Sequence, residues 1–281
     1  MRNRNLVVGL LCISIFLNFL FIWEIYKYEP ERYKYRHYNR LRQTGYLDEK
    51  VPLSVISKNE SLVILTFGQS NAANSSSDSY QPKEEVYNYA QGKLFKAKEP
   101  LIGTGGPGTS VWTRLADKLI AEGRCKNVIL IPIAEGGTSA AYWAKGNGNV
   151  KLRETMESLV KNDIKLTHIL WHQGEADNGK SPRDYKTSLN VILKTIRSFD
   201  KTVPFYCSIA SYNIHENYDN LGVDSLLQKA QREFVSENKN VYLGPNTDEL
   251  IYAIHRIDGQ HFSTYGNKMY ANKWLEALNK N

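Results

Sequence analysis

From residue 61 onward the chain alternates between two hydrophobic periods, and this alternation constrains the fold more than any other feature. Short apolar, β-rich runs lie at 62–67, 128–133, 167–171, 204–209 and 241–243. Helical patterns lie between and after them, at 111–122, 151–161, 182–199, 224–237 and 264–278. Strands this short and apolar are buried on both faces, which predicts an α/β fold with a central parallel sheet covered by helices. Right-handed crossovers then bring every strand C-terminus to one edge, where sites form in such folds. The stretch 85–100, with Gly92 near its middle, reads as a hairpin inserted after the first strand.

The N-terminus has a different character. Leu6 to Trp23 is apolar except for Gly9, Ser14 and Asn18. As a helix it would span about 27 Å, close to the ~30 Å hydrocarbon core of a bilayer. A cleaved signal peptide and a buried core helix are the competing readings. The run ends in Trp23-Glu24-Ile25-Tyr26-Lys27, with no small-x-small cleavage site. The expected organisation is a basic N-terminus at 1–5, one transmembrane anchor at 6–26, a Tyr/Arg-rich stalk at 27–60 and a catalytic domain at 61–281. Arg32, Lys34, Arg36, Arg40 and Arg42 follow the span, and a literal positive-inside count would leave the domain in the cytoplasm. A short basic N-terminus before a long C-terminal domain reads as a type II anchor, so an extracytoplasmic domain is expected.

Residues 1–50 hold 9 of the 36 Lys/Arg and 5 of the 29 Asp/Glu, leaving 27 and 24 for the rest. The domain is therefore nearly neutral, and nucleic acid is not an expected partner. Cys12 lies in the apolar span, and Cys125 and Cys207 alone do not define a disulfide. No Cys/His spacing suggests zinc, and no metal or cofactor is expected.

Three polar, Gly-bearing motifs directly follow predicted strands, and a fourth lies in the loop after the last short strand. They are Gly68-Gln69-Ser70-Asn71, Glu135-Gly136-Gly137-Thr138, His172-Gln173-Gly174-Glu175 and Asp258-Gly259-Gln260-His261. Ser70 at a strand mouth, with Asp-x-x-His far downstream, supplies a nucleophile, a base and an orienter. His261 is the base, and Asp258 would hold the ring nitrogen turned away from Ser70. His255 is the rival base but lacks the Asp-x-x-His spacing. His37 lies in the stalk, His168 reads as structural, His172 would orient its own loop, and His215 could touch substrate. The Ser70 N–H, the Gly136-Gly137 turn and the Gln173 carboxamide are oxyanion donors, each worth ~10²–10³ in rate. Gln69, Asn71, Gly137, Thr138, Trp143, His172, Glu175 and Asp177 are expected to bind substrate or orient these loops. Trp143, Tyr142 and Tyr212 are candidate sugar platforms.

In this order the motifs, with His172-Gln173-Gly174-Glu175-x-Asp177, resemble the blocks of the SGNH hydrolase superfamily. More narrowly they resemble its sialate O-acetylesterase-like branch, carbohydrate esterase family six, over about 61–279. The resemblance implies a flavodoxin-like, three-layer α/β/α fold and metal-free hydrolysis of acetyl esters on sugars. It implies Ser70 as nucleophile, His261 as base and Asp258 as orienter, with Ser70, Gly136 and Gln173 forming the oxyanion hole. Gly105-Gly106-Pro107-Gly108 is also similar to the branch and reads as architectural. Ala72 after Asn71 departs mildly from it. The substrate expected is an acetylated carbohydrate. A glycan O-acetyltransferase with the same triad, and an inactive carbohydrate-binding module, remain as alternatives.

Overall fold

Residues Ser61–Gly68 carry apolar side chains on both faces of an extended chain, and the sheet is built around them. The computed structural model describes residues 50–216 and 221–280. Among them are eight strands: β1 (Lys50–Val51), β2 (Ser61–Gly68), β3 (Val86–Ala90), β4 (Lys93–Lys96), β5 (Asn127–Pro132), β6 (His168–His172), β7 (Phe205–Ile209) and β8 (Val241–Asn246). The helices are α1 (Trp112–Ala121), α2 (Ala140–Lys145), α3 (Asn147–Lys161), α4 (Pro182–Arg197), α5 (Ser225–Glu237) and α6 (Thr264–Asn279).

The strands form one sheet in the order β1-β4-β3-β5-β2-β6-β7-β8, parallel from β3 to β8. Alternate residues of β2 feed two cores. Val63, Leu65 and Phe67 pack with α2, α3, α4 and α5, and Ile64 packs with α1 and α6 on the other face. These are the three expected layers. The chain places β5 on one side of β2 and then crosses to place β6 on the other. The order reverses at the C-terminal end of β2, where open α/β sheets bind ligands.

The structure departs from the sequence reading in three places. The sheet is not wholly parallel, because the predicted hairpin joins it as β3 and β4 and carries antiparallel β1 at the edge. Its two-residue turn has positive φ at both Gln91 (51°) and Gly92 (75°), the type I′ signature. Residues 50–60, assigned to the stalk, belong to the folded unit, since Val51, Leu53, Val55 and Ile56 pack on the core. Helix α3 starts before 151, and the separate α2 precedes it. A Cβ on Gly148 would lie 2.7 Å from the Tyr142 ring, so close packing requires a glycine inside the first turn of α3. The predicted span at 6–26 and most of the stalk lie outside the described residues, among which no helix is long and apolar enough to cross a membrane.

Helix α1 begins with no side-chain bond from Val111, the residue at its N-cap. Ser110 Oγ accepts from Trp112 N at 3.2 Å instead, and Glu99, distant in sequence, holds Ser110 in place. Ser110 Oγ and Thr113 Oγ1 donate to its Oε1 at 2.5 and 2.9 Å, and Ser110 N donates to Oε2 at 3.0 Å. Burial pushes this carboxyl up to about 7 despite those bonds. A carboxyl raised on folding binds its proton more tightly in the folded than in the unfolded chain, so its ionisation removes stability as pH rises from about 4 through 7. Glu99→Gln removes the titration. Between pH 5 and 8 the wild type is expected to lose on the order of 2 kcal/mol relative to the variant in urea unfolding. A stability difference independent of pH would contradict this.

Candidate active site

The nucleophile turn is set by close backbone approach. Gly68 ends β2 at φ 133°, and a Cβ there would stand 1.9 Å from the His172 carbonyl oxygen at the end of β6. A glycine is therefore needed for the two strand ends to meet. Gln69 N then donates to His172 O at 3.0 Å, and Ser70–Ala72 form one 3-10 turn closed by Ala73 N to Ser70 O at 2.9 Å. Gly136 lies beside this turn, since a Cβ built on it would be 3.6 Å from Ser70 Cβ. Among the described residues, the backbone N–H groups of Ser70 and Gly136 have no acceptor in the protein.

Side chains stitch the neighbouring loops to this turn. Asn71 Nδ2 donates to Glu175 Oε1 at 2.8 Å and to the Gln260 carbonyl at 3.3 Å. Glu175 Oε1 also pairs with His172 Nε2 at 2.8 Å. Burial alone would raise the Glu175 carboxyl, but the His172 charge and the bonds from His172 and Asn71 outweigh it and hold it at about 2. Gln69 Oε1 accepts from Ala176 N at 3.0 Å, and Asp177 Oδ2 accepts from Ala140 N at 2.7 Å. Thr138 Oγ1 donates to Glu135 O at 2.7 Å and fixes the Gly136-Gly137 turn.

Asp258 and His261 sit at the tip of a hairpin closed by an Arg256–Phe262 bridge and by Ile257 N to His261 O at 2.9 Å. Asp258 Oδ1 accepts from the backbone N–H of Gln260 (2.9 Å) and His261 (2.7 Å), and Oδ2 pairs with His261 Nδ1 at 2.6 Å. Partial burial would raise this carboxyl, but the three bonds hold it at about 2. The carboxylate thus stays ionised and fixes the ring through Nδ1. Arg256 is buried beneath, with its guanidinium 3.9 Å from the Phe262 ring and Nη1 donating to Gln260 O at 2.6 Å.

The hairpin tip and the Ser70 turn are therefore adjacent, joined through Asn71 and Gln260. Ser70 Oγ and His261 Nε2 are not hydrogen-bonded to each other, and among the described residues neither has another partner. Catalytic pairs in empty sites commonly tighten only around substrate.

Other predicted residues occupy different places. Gln173 is fully buried, and its Nε2 donates to Asp177 (2.8 Å), Thr138 O (3.1 Å) and Gln69 Oε1 (3.2 Å). Two hydrogens already serve three acceptors, so the carboxamide is committed beneath the site and not presented to an oxyanion. Trp143 is a core residue with 0% exposure, packed edge-on against Phe67 at 5.3 Å, and it cannot be a sugar platform. Tyr212 is buried under Arg256, and Tyr142 is partly buried with its hydroxyl on Glu135. His168 is held low, at about 4, by burial. His255 has no carboxylate partner among the described residues and stacks on Tyr265. No group of three potential metal ligands occurs among the described residues.

Sequence reasoning missed Arg256, Gln260 and Asn213. Gln260 Nε2 donates to Tyr212 O at 3.2 Å, and Asn213 Nδ2 donates to Glu175 O at 3.1 Å, tying the loop after β7 to the site. Gln260 stood inside the Asp-Gly-Gln-His motif and could have been singled out; Arg256 and Asn213 carry no local signal. Asn71→Ala leaves a buried carboxylate oxygen short of a donor, a cost of about 1–3 kcal/mol. It should also speed amide exchange at Ile257 and Ser263 in the hairpin. Unchanged unfolding midpoint and exchange rates would show that Asn71 does not latch the loops.

The description "Carbohydrate esterase, sialic acid-specific acetylesterase" belongs to the family model that matches residues 60–280. A comparison with curated proteins finds no match. Among solved structures, a protein from Arabidopsis thaliana aligns with a TM-score of 0.63 at 18% identity, over 79% of this chain and 99% of that one. NanS aligns with a TM-score of 0.53 at 16% identity, over 80% and 98%. A carbohydrate acetylesterase from Xanthomonas citri aligns with a TM-score of 0.52 at 17% identity, over 77% and 55%. At such identities the neighbours speak to the fold, and the family rests on the match across most of the chain. This chain belongs to the sialic acid-specific acetylesterase family of carbohydrate esterases and is a serine carboxylic ester hydrolase.

Proposed function

We propose that the protein removes O-acetyl groups from carbohydrates through Ser70, His261 and Asp258. The observation that carries this reading is the Asp258–His261 pair, 2.6 Å apart, on a hairpin latched to the turn that bears Ser70. Ser70 Oγ attacks the acetyl carbonyl while His261 Nε2 takes its proton. Asp258 holds the imidazole by Nδ1 and stabilises the imidazolium. The carbonyl oxygen gathers negative charge between the N–H groups of Ser70 and Gly136, whose acceptors are otherwise missing. Collapse expels the sugar oxygen, which takes the proton from His261 and leaves acetyl on Ser70. Water, deprotonated by His261, then attacks the acyl-enzyme and releases acetate.

Gln173 supports this chemistry from below. Its bonds to Thr138 O, Gln69 and Asp177 join the Gly136 loop to the Ser70 turn, so that both oxyanion donors are fixed before substrate arrives. Membrane attachment is part of the same proposal, on the apolar run 6–23, with the domain on the extracytoplasmic side. Protease added to intact cells should then cleave the domain; protection in intact cells but not in lysed ones would reverse the topology.

The assay is acetate release from an O-acetylated sugar by the full-length chain. Ser70→Ala should lower kcat by about 10⁴-fold or more while the domain stays folded. Turnover by Ser70→Ala within tenfold of wild type would exclude Ser70 as the nucleophile.

A further inference from the structure

The residues best suited to hold a glycan are not the aromatics that the sequence suggests. Trp143 and Tyr212 are buried, whereas Tyr252 (67% exposed) and Tyr265 (47%) present their rings to solvent. Between them stands His255, 5.9 Å from Tyr252 and stacked on Tyr265 at 5.8 Å with only 13° between the planes. The backbone that carries these rings is pinned by hydrogen bonds. His255 N donates to Tyr252 O at 2.8 Å across a tight turn, and Ser263 N donates to His255 O at 2.8 Å. Ser263 caps α6, whose first turn carries Tyr265.

Register places this strip next to the reacting groups. Arg256 pairs with Phe262, so Ile257 lies opposite His261 and His255 opposite Ser263. Arg256 and Phe262 both point inward and are buried. Ile257, His255 and His261 flank the buried Arg256–Phe262 pair and stay exposed or half-buried. His255 stands two residues before Ile257, whose backbone N–H donates to His261 O at 2.9 Å. Ile257 is 52% exposed and fills the interval with apolar surface.

We propose that Tyr252, His255, Tyr265 and Ile257 form a subsite that binds a pyranose of the glycan adjoining the acetylated sugar. The inference rests on the esterase reading above and deepens it from a sugar ester to an oligosaccharide substrate. Aromatic faces match the C–H faces of a pyranose, and the tyrosine hydroxyls at the ring edges match its hydroxyls. A tyrosine has only two side-chain torsions to fix, which keeps the entropic cost of binding low. A lipid headgroup is disfavoured, because Lys273, the lysine whose charge reaches His255, is already paired with Glu249.

The test compares an O-acetylated tetrasaccharide with p-nitrophenyl acetate on the full-length chain, for wild type and a Tyr252→Ala/Tyr265→Ala double variant. The KM for the tetrasaccharide should rise about tenfold, at least five times more than any change on the small ester, with kcat little altered. Tyr252→Trp/Tyr265→Trp should restore it, and Val160→Ala on α3 should alter neither substrate. Equal effects on both substrates, or none, would overturn the subsite. Binding of the deacetylated tetrasaccharide, followed by NMR, separates this proposal from the enzymatic one. If wild type releases no acetate but binds the glycan and the double variant does not, the subsite stands and the esterase reading falls. If wild type is active and the double variant binds the glycan equally well, the subsite falls alone.

Discussion

The Asn71 carboxamide donates on one side to the buried Glu175 carboxylate and on the other to the Gln260 carbonyl. Three segments distant in sequence meet through that one group: the turn after β2, the loop after β6 and the hairpin that carries His261. Glu175 serves this role because it stays ionised, held at about 2 in spite of burial. An ionised acceptor makes a stronger bond than a neutral one, and shielding from water strengthens it further. Arg256 supplies the complementary restraint from beneath, bonding to Gln260 O and packing on Phe262.

The sheet makes such a latch possible. Because β2, β5, β6 and β7 are parallel, their following loops emerge at one edge, and the reversal of strand order at β2 opens a crevice there. The buried network of Gln69, Gln173 and Asp177 then fixes the backbone whose N–H groups are left free at Ser70 and Gly136. Polar side chains are thus spent on holding backbone in place, and backbone serves the chemistry. Preorganisation of this kind is the usual origin of oxyanion stabilisation.

Much of this was legible in the sequence, for identifiable reasons. The alternation of periods fixed the layers, and β2 reads as a central strand because both its faces are apolar. Asp258 and His261 could be paired from spacing alone, since a turn with two residues between carboxylate and ring brings the two together. Properties set by tertiary packing were not legible. Nothing local distinguishes Trp143, which fills the core, from Tyr252, which faces solvent. Gln173 is a donor by type, and only the surrounding acceptors show that its hydrogens are committed. The first turn of α3 was hidden because Gly148 meets a packing demand while reading as a helix breaker. Arg256 carries no motif, and its importance comes from burial.

The central claim is that Ser70 and His261 work as a pair across the crevice. Labelling with a fluorophosphonate, followed by peptide mass spectrometry, tests it directly, because the reagent reacts with an activated serine and ignores an ordinary one. The adduct should fall on Ser70, and His261→Ala should slow its formation by about 100-fold or more. An adduct on a different serine, or equal labelling rates with and without the imidazole, would contradict the account.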